Sequence, residues 1–141
     1  MTTTSTHTHP DTAPKPGRAL NITLWVVQIL LAALFAFAGI NKLLTLQQGV
    51  AEGFAMIGFG QWFQYLTGAL ELAGGIGLLI PRLVGPAALG LAGVMVGAIF
   101  AHLLAIPPAG LAVVPAVLCI VLVLIARARW AQSLLAGPRA G

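Results

Sequence analysis

Charge is what this chain has least of. Only 7% of its 141 residues are Asp, Glu, Lys or Arg, against about 25% in an ordinary soluble domain. Three side chains are acidic, namely Asp11, Glu52 and Glu71. With 59% hydrophobic residues and a mean hydropathy of +0.99, there is too little polar surface to cover a water-facing fold. The solvent expected for this chain is lipid. Cysteine is nearly absent: Cys119 is single, which excludes an internal disulfide and a CxxC redox pair. Set among apolar neighbours (VLCIVLV), it reads as a small packing residue. No glycine pair is followed by Lys-Ser or Lys-Thr, so no phosphate loop is present.

What is there is long apolar runs. Four of them approach the length of about 20 residues that spans a bilayer: about 22–44, 62–80, 84–106 and 111–126. In lipid each backbone group must find its partner within the segment or a closed sheet, so these are read as helices. The fold class expected is all-α: an integral membrane four-helix bundle with antiparallel up-down topology. Pro81-Arg82-Leu83 and Pro107-Pro108-Ala109-Gly110 are short connections that make successive spans antiparallel neighbours. The longer connection Gln47 to Gln61 (QQGVAEGFAMIGFGQ) is either a short interfacial helix or a loop. Residues 1–20 are read as a disordered Thr/Pro-rich tail, 21–127 as the membrane domain and 128–141 as a C-terminal tail. His7 and His9 stand at i, i+2 in the N-terminal tail. Two histidines alone make a weak metal clip, so no metal site is assigned.

The cations report orientation. With four spans, both tails and the second connection share a side, which holds Lys15, Arg18, Arg82, Arg127, Arg129 and Arg139. The other side holds Lys42 alone. The positive-inside rule places both termini in the cytoplasm, as expected for a multi-pass protein of a bacterial plasma (inner) membrane. Trp25 and Trp130 fall near the inner interface, and Trp62 and Tyr65 near the outer one, as aromatic belts require. A net charge of +4 would otherwise suggest nucleic acid, but the cations flank apolar runs and form no basic face. A competing reading takes the first apolar run as a signal peptide ending at Ala36-Phe37-Ala38. The run is long for that, and its removal would break the charge asymmetry.

Glu71 is the one charged residue in Phe63–Ile80 (FQYLTGALELAGGIGLLI). A central acidic residue costs about 2.5–3.5 kcal/mol on insertion scales, so it needs a partner or a task. Helical spacing puts Thr67, Gly68, Glu71, Gly74, Gly75 and Leu78 on one stripe, and Gln28, Phe35, Gly39 and Lys42 on another. Small residues let a neighbouring backbone approach, so Gly39, Gly68, Gly74, Gly75, Gly90, Gly93 and Gly97 are assigned to helix packing. Gly93 and Gly97 form a GxxxG that offers a seam for a homo-oligomer. Lys42, Glu71 and His102 are the candidates for an outward-facing polar pocket, with Asn41 and Gln28 as hydrogen-bond partners. Such a pocket would bind a polar head group or pass a proton to a lipid-soluble redox molecule. The plainer alternatives are that Glu71 pairs with a neighbour to fix helix register, that Lys42 anchors at the interface, and that His102 is a hydrogen-bonded packing residue. Spacing alone does not tell whether Lys42 reaches outward or bends to Glu71.

Four pieces together resemble the DoxX family of small bacterial membrane proteins. They are AGINKLL at Ala38–Leu44, GFAMIGFGQWFQYLTGALELAGGIGLLIPR at Gly53–Arg82, the glycine-rich third span, and AIFAHLL at Ala98–Leu104. The resemblance covers about Leu24 to Leu104 and carries over Gly39, Lys42, Glu71, Gly75 and His102. It implies a four-helix membrane protein, some relatives of which resemble membrane subunits of sulfur-compound:quinone oxidoreductases or associate with oxidative-stress enzymes. The function expected is an accessory membrane subunit of such a complex, contacting quinone as a diffusible ligand. No bound cofactor is evident in the sequence, and the partners expected are the lipid bilayer and proteins of the complex. An oligomeric transporter or channel component and a ligand-free structural assembly factor are the alternatives.

Overall fold

The computed structural model describes residues 17–135, with side-chain surroundings through residue 130. His7 and His9 lie outside the described residues. Five α-helices follow one another: α1 (Arg18–Leu44), α2 (Gln48–Ile57), α3 (Gln61–Gly77), α4 (Val84–Leu104) and α5 (Val113–Leu135), with a 3-10 turn at Ala109–Ala112 leading into α5. Among the described residues, three stretches are long and apolar enough to cross a membrane: Arg18–Leu44, Val84–Leu104 and Ala109–Trp130. The outward surface carries large apolar side chains such as Leu30, Phe37, Leu104 and Ile120, which suits an acyl-chain environment far better than water.

The helix ends follow local chemistry. α1 stops where Thr45 turns left-handed (φ 51°), and the N–H groups of Thr45 and Leu46 both donate to the Asn41 carbonyl. Lys42 sits in that last turn, where the helix dipole favours a cation. The connection read as either helix or loop is α2, which buries none of its residues and ends at Gly58 (φ 81°), followed by Gly60 (φ 93°). Both glycines hold a conformation that a Cβ would penalise. α3 is shorter than the expected span 62–80. After Gly74, Gly75 and Gly77 the chain passes into tight turns, with Leu79 and Ile80 donating to the Ile76 and Gly77 carbonyls. Glycine weakens a helix interior, so the last turn gives way here.

α5 departs from expectation in the other direction. It does not stop at Arg127 but runs through Arg129 to Leu135, so the helix continues into residues 128–135. Leu122, Ile125, Ala126 and Arg129 are all buried, one continuous face at i, i+3, i+4 and i+7.

α1 packs along α3, α4 packs along α5, and the turn at residues 78–83 holds α3 against α4. The contacts of α1 with α3 run in opposite chain directions. Gln28 meets Leu78, Ala32 and Ala36 meet Gly75, and Gly39 meets Gly68 and Leu72. On the other side of α3, Gly74 faces Leu91 and Gly77 faces Ala87, so α4 is antiparallel to it as well. The apolar core lies where the helices meet, around Phe35, Leu78, Leu91, Leu122 and Ile125.

Candidate functional site

Lys42 and Glu71 meet at the end of α1. Nζ of Lys42 donates to Oε2 of Glu71 at 2.6 Å. The close approach of the two helices is what allows it. A Cβ on Gly68 would lie 2.9 Å from the Lys42 Cβ, and one on Gly39 only 2.6 Å from the Gly68 carbonyl oxygen. Neither glycine has room for a side chain, and their absence of one brings the lysine stem directly over the acid. Glu71 is 4% exposed, whereas the Lys42 side chain keeps 18% of its surface open. An isolated charge in such surroundings is costly, and pairing with good geometry is what makes it tolerable. Lys42 therefore bends inward to the acid and does not extend to the interface.

The pair is braced by Gln64, a residue the sequence reading did not single out. It is 1% exposed, and its Nε2 donates to the Lys42 carbonyl at 2.8 Å. That carbonyl is among the last in α1 and has no intrahelical partner to rely on. The signal was in the sequence: Gln64 stands seven residues before Glu71, one further step along the stripe that begins at Thr67.

Beside the pair lies a cavity of about 540 Å³, between α3 and α4 and overhung by α2. Lys42, Thr67 and Glu71 line one wall, His102 and Gly90, Gly93 and Gly97 of α4 the other, and Phe54 and Ile57 of α2 border it. Sites for small molecules typically have volumes of about 300–1,000 Å³, with mostly apolar walls and a few convergent polar groups. The Nδ1 atom of His102 is buried without a hydrogen-bond partner among the described residues. Phe63, also on the lining, is met edge-on by Phe54 of α2 at 5.8 Å and by Phe59 of the connection that follows it at 5.3 Å between ring centroids, and these contacts hold α2 and that connection against α3.

The expected site residues divide. Lys42, Glu71 and His102 share the cavity. Asn41 does not join them, because its Nδ2 donates to the Phe37 carbonyl one turn back in its own helix. Gln28 is fourteen residues before Lys42, about 21 Å away along the helix, and belongs to a different cluster. It is fully buried. Its Nε2 donates to the Leu78 carbonyl at 3.1 Å, and its Oε1 accepts from Nε of Arg129 at 2.7 Å. Arg129 also donates through Nη1 to Asn21 Oδ1 at 2.8 Å, and its guanidinium carbon lies 5.5 Å from the centroid of Trp25. This second cluster ties α5 to α1 and to the end of α3.

The glycines divide too. Gly39, Gly68, Gly74 and Gly75 sit at tight helix contacts. Gly90, Gly93 and Gly97 do not pack within the chain: a Cβ on any of them would meet nothing within 4 Å. They line the cavity together with His102, which by helical spacing stands on a different face of α4. The lining spans a wide arc of that helix, so both faces contribute.

No curated protein and no solved structure matches this chain. Residues 26–125, which include the ion pair, the cavity-lining glycines and His102, match the model of the DoxX-like family, and the chain belongs to that family.

Proposed function

We propose that the protein is a four-span accessory subunit of a redox or oxidative-stress complex in a bacterial inner membrane, and that its cavity seats quinone or another amphipathic molecule. The observation that carries the reading is the Lys42–Glu71 pair standing in the wall of a mostly apolar cavity of about 540 Å³. A pair needed only to lock helix register would serve equally well in a closed seam. Here it faces a space of ligand size, with an imidazole on the same lining. Glu71 is the hydrogen-bonding or proton-active group of this site, and Lys42 holds it in place. The chain has one cysteine and thus no internal thiol pair, so electrons would come from a diffusible molecule or a partner protein.

The fourth crossing in this reading is α3. It lies antiparallel along α1 for its whole length, and with the turn that follows it reaches from the Lys42 end to the Gln28 end of that helix. Both termini are then cytoplasmic, as the cation distribution requires.

The test is purification in native nanodiscs followed by mass spectrometry of bound lipophiles. Wild type is expected to retain a stoichiometric amphipathic molecule, and the charge-neutral double variant Lys42→Met/Glu71→Leu to lose it while staying folded. Retention of nothing by folded wild type would leave the pair a packing device, and co-purification of a stable protein partner alone would make this an assembly subunit.

A further inference from the structure

The cavity has chemistry specific enough to say what kind of head group it takes, given the binding role just proposed. Its two charges are internal to the protein and cancel. Lys42 spends one N–H on Glu71 Oε2, leaving donors over, and Glu71 Oε1 has no hydrogen-bond partner among the described residues. The wall therefore offers a donor and an acceptor side by side with no net charge. An anionic head accepting a spare N–H would share one ammonium with a carboxylate that is 4% exposed. A cationic head would compete with Lys42 for the same acid. Either outcome sets three charges where two balance, a net charge against a mostly apolar wall, which is costlier than a missing neutral hydrogen bond. An uncharged O–H group meets both needs: its oxygen accepts from Lys42 and its hydrogen goes to Glu71.

The facing wall sets bulk. Gly90, Gly93 and Gly97 recur along α4 with open space where side chains would stand, and the same three residues line the cavity. Over seven residues they leave a smooth strip about 10 Å long. The glycines of α1 and α3 are by contrast tight against a neighbouring helix, as at Gly39, Gly68 and Gly74. Nothing in the packing of this chain requires glycine on this strip, so what it keeps is room.

We infer that the cavity binds an uncharged, hydroxyl-bearing lipophile, held at its O–H by Lys42 and Glu71, and that Gly90, Gly93 and Gly97 determine how bulky its apolar part can be. On this basis a ring or chain carrying a hydroxyl is preferred over the same skeleton carrying only a carbonyl or ether oxygen, so that of a quinone couple the reduced, hydroxyl-bearing form is the one held more tightly.

Four diazirine-bearing alkyl probes of equal length, ending in hydroxyl, methyl ether, carboxylate or trimethylammonium, are photolysed with the full chain in nanodiscs, and the labelled residues are mapped by mass spectrometry. The alcohol is expected to label Leu66, Leu70, Val94 and Ala98 at about tenfold lower concentration than the ether, the loss expected for one hydrogen bond to a charged group. The two charged probes should label these residues least. Lys42→Met/Glu71→Leu should erase the ranking. Gly93→Leu, and more mildly Gly93→Ala, should reduce labelling by the alcohol, with the fold checked by thermal unfolding; Gly49→Ala, on α2 and away from the lining, should not. Equal labelling by all four heads overturns the inference while leaving a binding cavity, as does labelling that ignores Gly93→Leu. A change of oligomeric mass in Gly93→Leu with labelling intact assigns the strip to a second copy of the chain and likewise overturns it. Labelling confined to lipid-facing residues such as Leu30 and Phe37 in folded wild type removes the binding role itself.

Discussion

Lys42 and Glu71 are unequal partners. Glu71 is 4% exposed and fixed between helices, whereas Lys42 is the last-turn residue of α1 on a flexible stem, with 18% of its side chain open. If Glu71 is removed, the lysine can swing outward and rehydrate its ammonium group, as long cationic side chains do near helix ends. If Lys42 is removed, the carboxylate has nowhere to go. Lys42→Met is therefore expected to destabilise the protein by about 3–5 kcal/mol, Glu71→Leu by noticeably less, and the double variant by no more than about 1 kcal/mol, since replacing a whole buried pair with apolar groups is often neutral. Unfolding in mild detergent read as a double-mutant cycle measures this. Additive single effects would show that the pair contributes no coupling. The existence of a partner for Glu71 was legible in the sequence, because a lone acid in an apolar span demands one. Its identity was not, because a lysine stem reaches outward or inward with equal ease.

At the scale of helices, glycine plays two opposite parts. A Cβ on Gly39 would lie 2.6 Å from the Gly68 carbonyl oxygen and 2.8 Å from the Leu72 nitrogen, both backbone atoms that no rotamer change can move. On Gly74 the nearest atoms belong to the Leu91 side chain, at 2.5 Å, which can turn aside in part. On Gly90 nothing lies within 4 Å. Gly39→Ala should thus cost about 1–3 kcal/mol as overpacking, Gly74→Ala less, and Gly90→Ala should stabilise the chain by about 0.4–1 kcal/mol through lower backbone entropy in the unfolded state. Thermal unfolding of the three variants ranks them, and equal destabilisation at Gly39 and Gly90 would contradict the assignment. The sequence placed all of these glycines at helix contacts, because period and residue size are identical in both parts. Only the neighbour opposite each one differs. The extension of α5 past Arg127 was missed for a related reason: an arginine after an apolar run reads as a boundary, yet Arg129 is held by Gln28 and Asn21 from α1. A buried arginine with such partners continues a helix.

For the whole molecule, the charge asymmetry makes a directional statement. Arg82 lies exposed in the turn between α3 and α4, while Gln48 and Ala109 are exposed in the two other connections. With α3 as the fourth crossing, Arg82 faces the cytoplasm and the other two face outward. In a Cys119→Ser background, a membrane-impermeant maleimide applied to intact spheroplasts should label Gln48→Cys and Ala109→Cys, and should label Arg82→Cys only in inverted vesicles. Gln48→Cys and Arg82→Cys labelled from the same side, with Ala109→Cys labelled from the other, would show that α3 does not cross.

The lipid-facing, all-helical character of this chain is determined by the sequence itself, because apolar runs of membrane length with so little charge have no other stable solution. The need to satisfy Glu71 is equally intrinsic, since it follows from the solvation of one carboxylate. What the tertiary structure alone decided is who meets whom: that Lys42 turns to Glu71, that Gln28 leaves the site for Arg129, and that Gly90, Gly93 and Gly97 border a cavity. Those outcomes depend on the rotation and spacing of one helix against another. Helical periodicity sets which residues share a stripe, but not which neighbour that stripe will face.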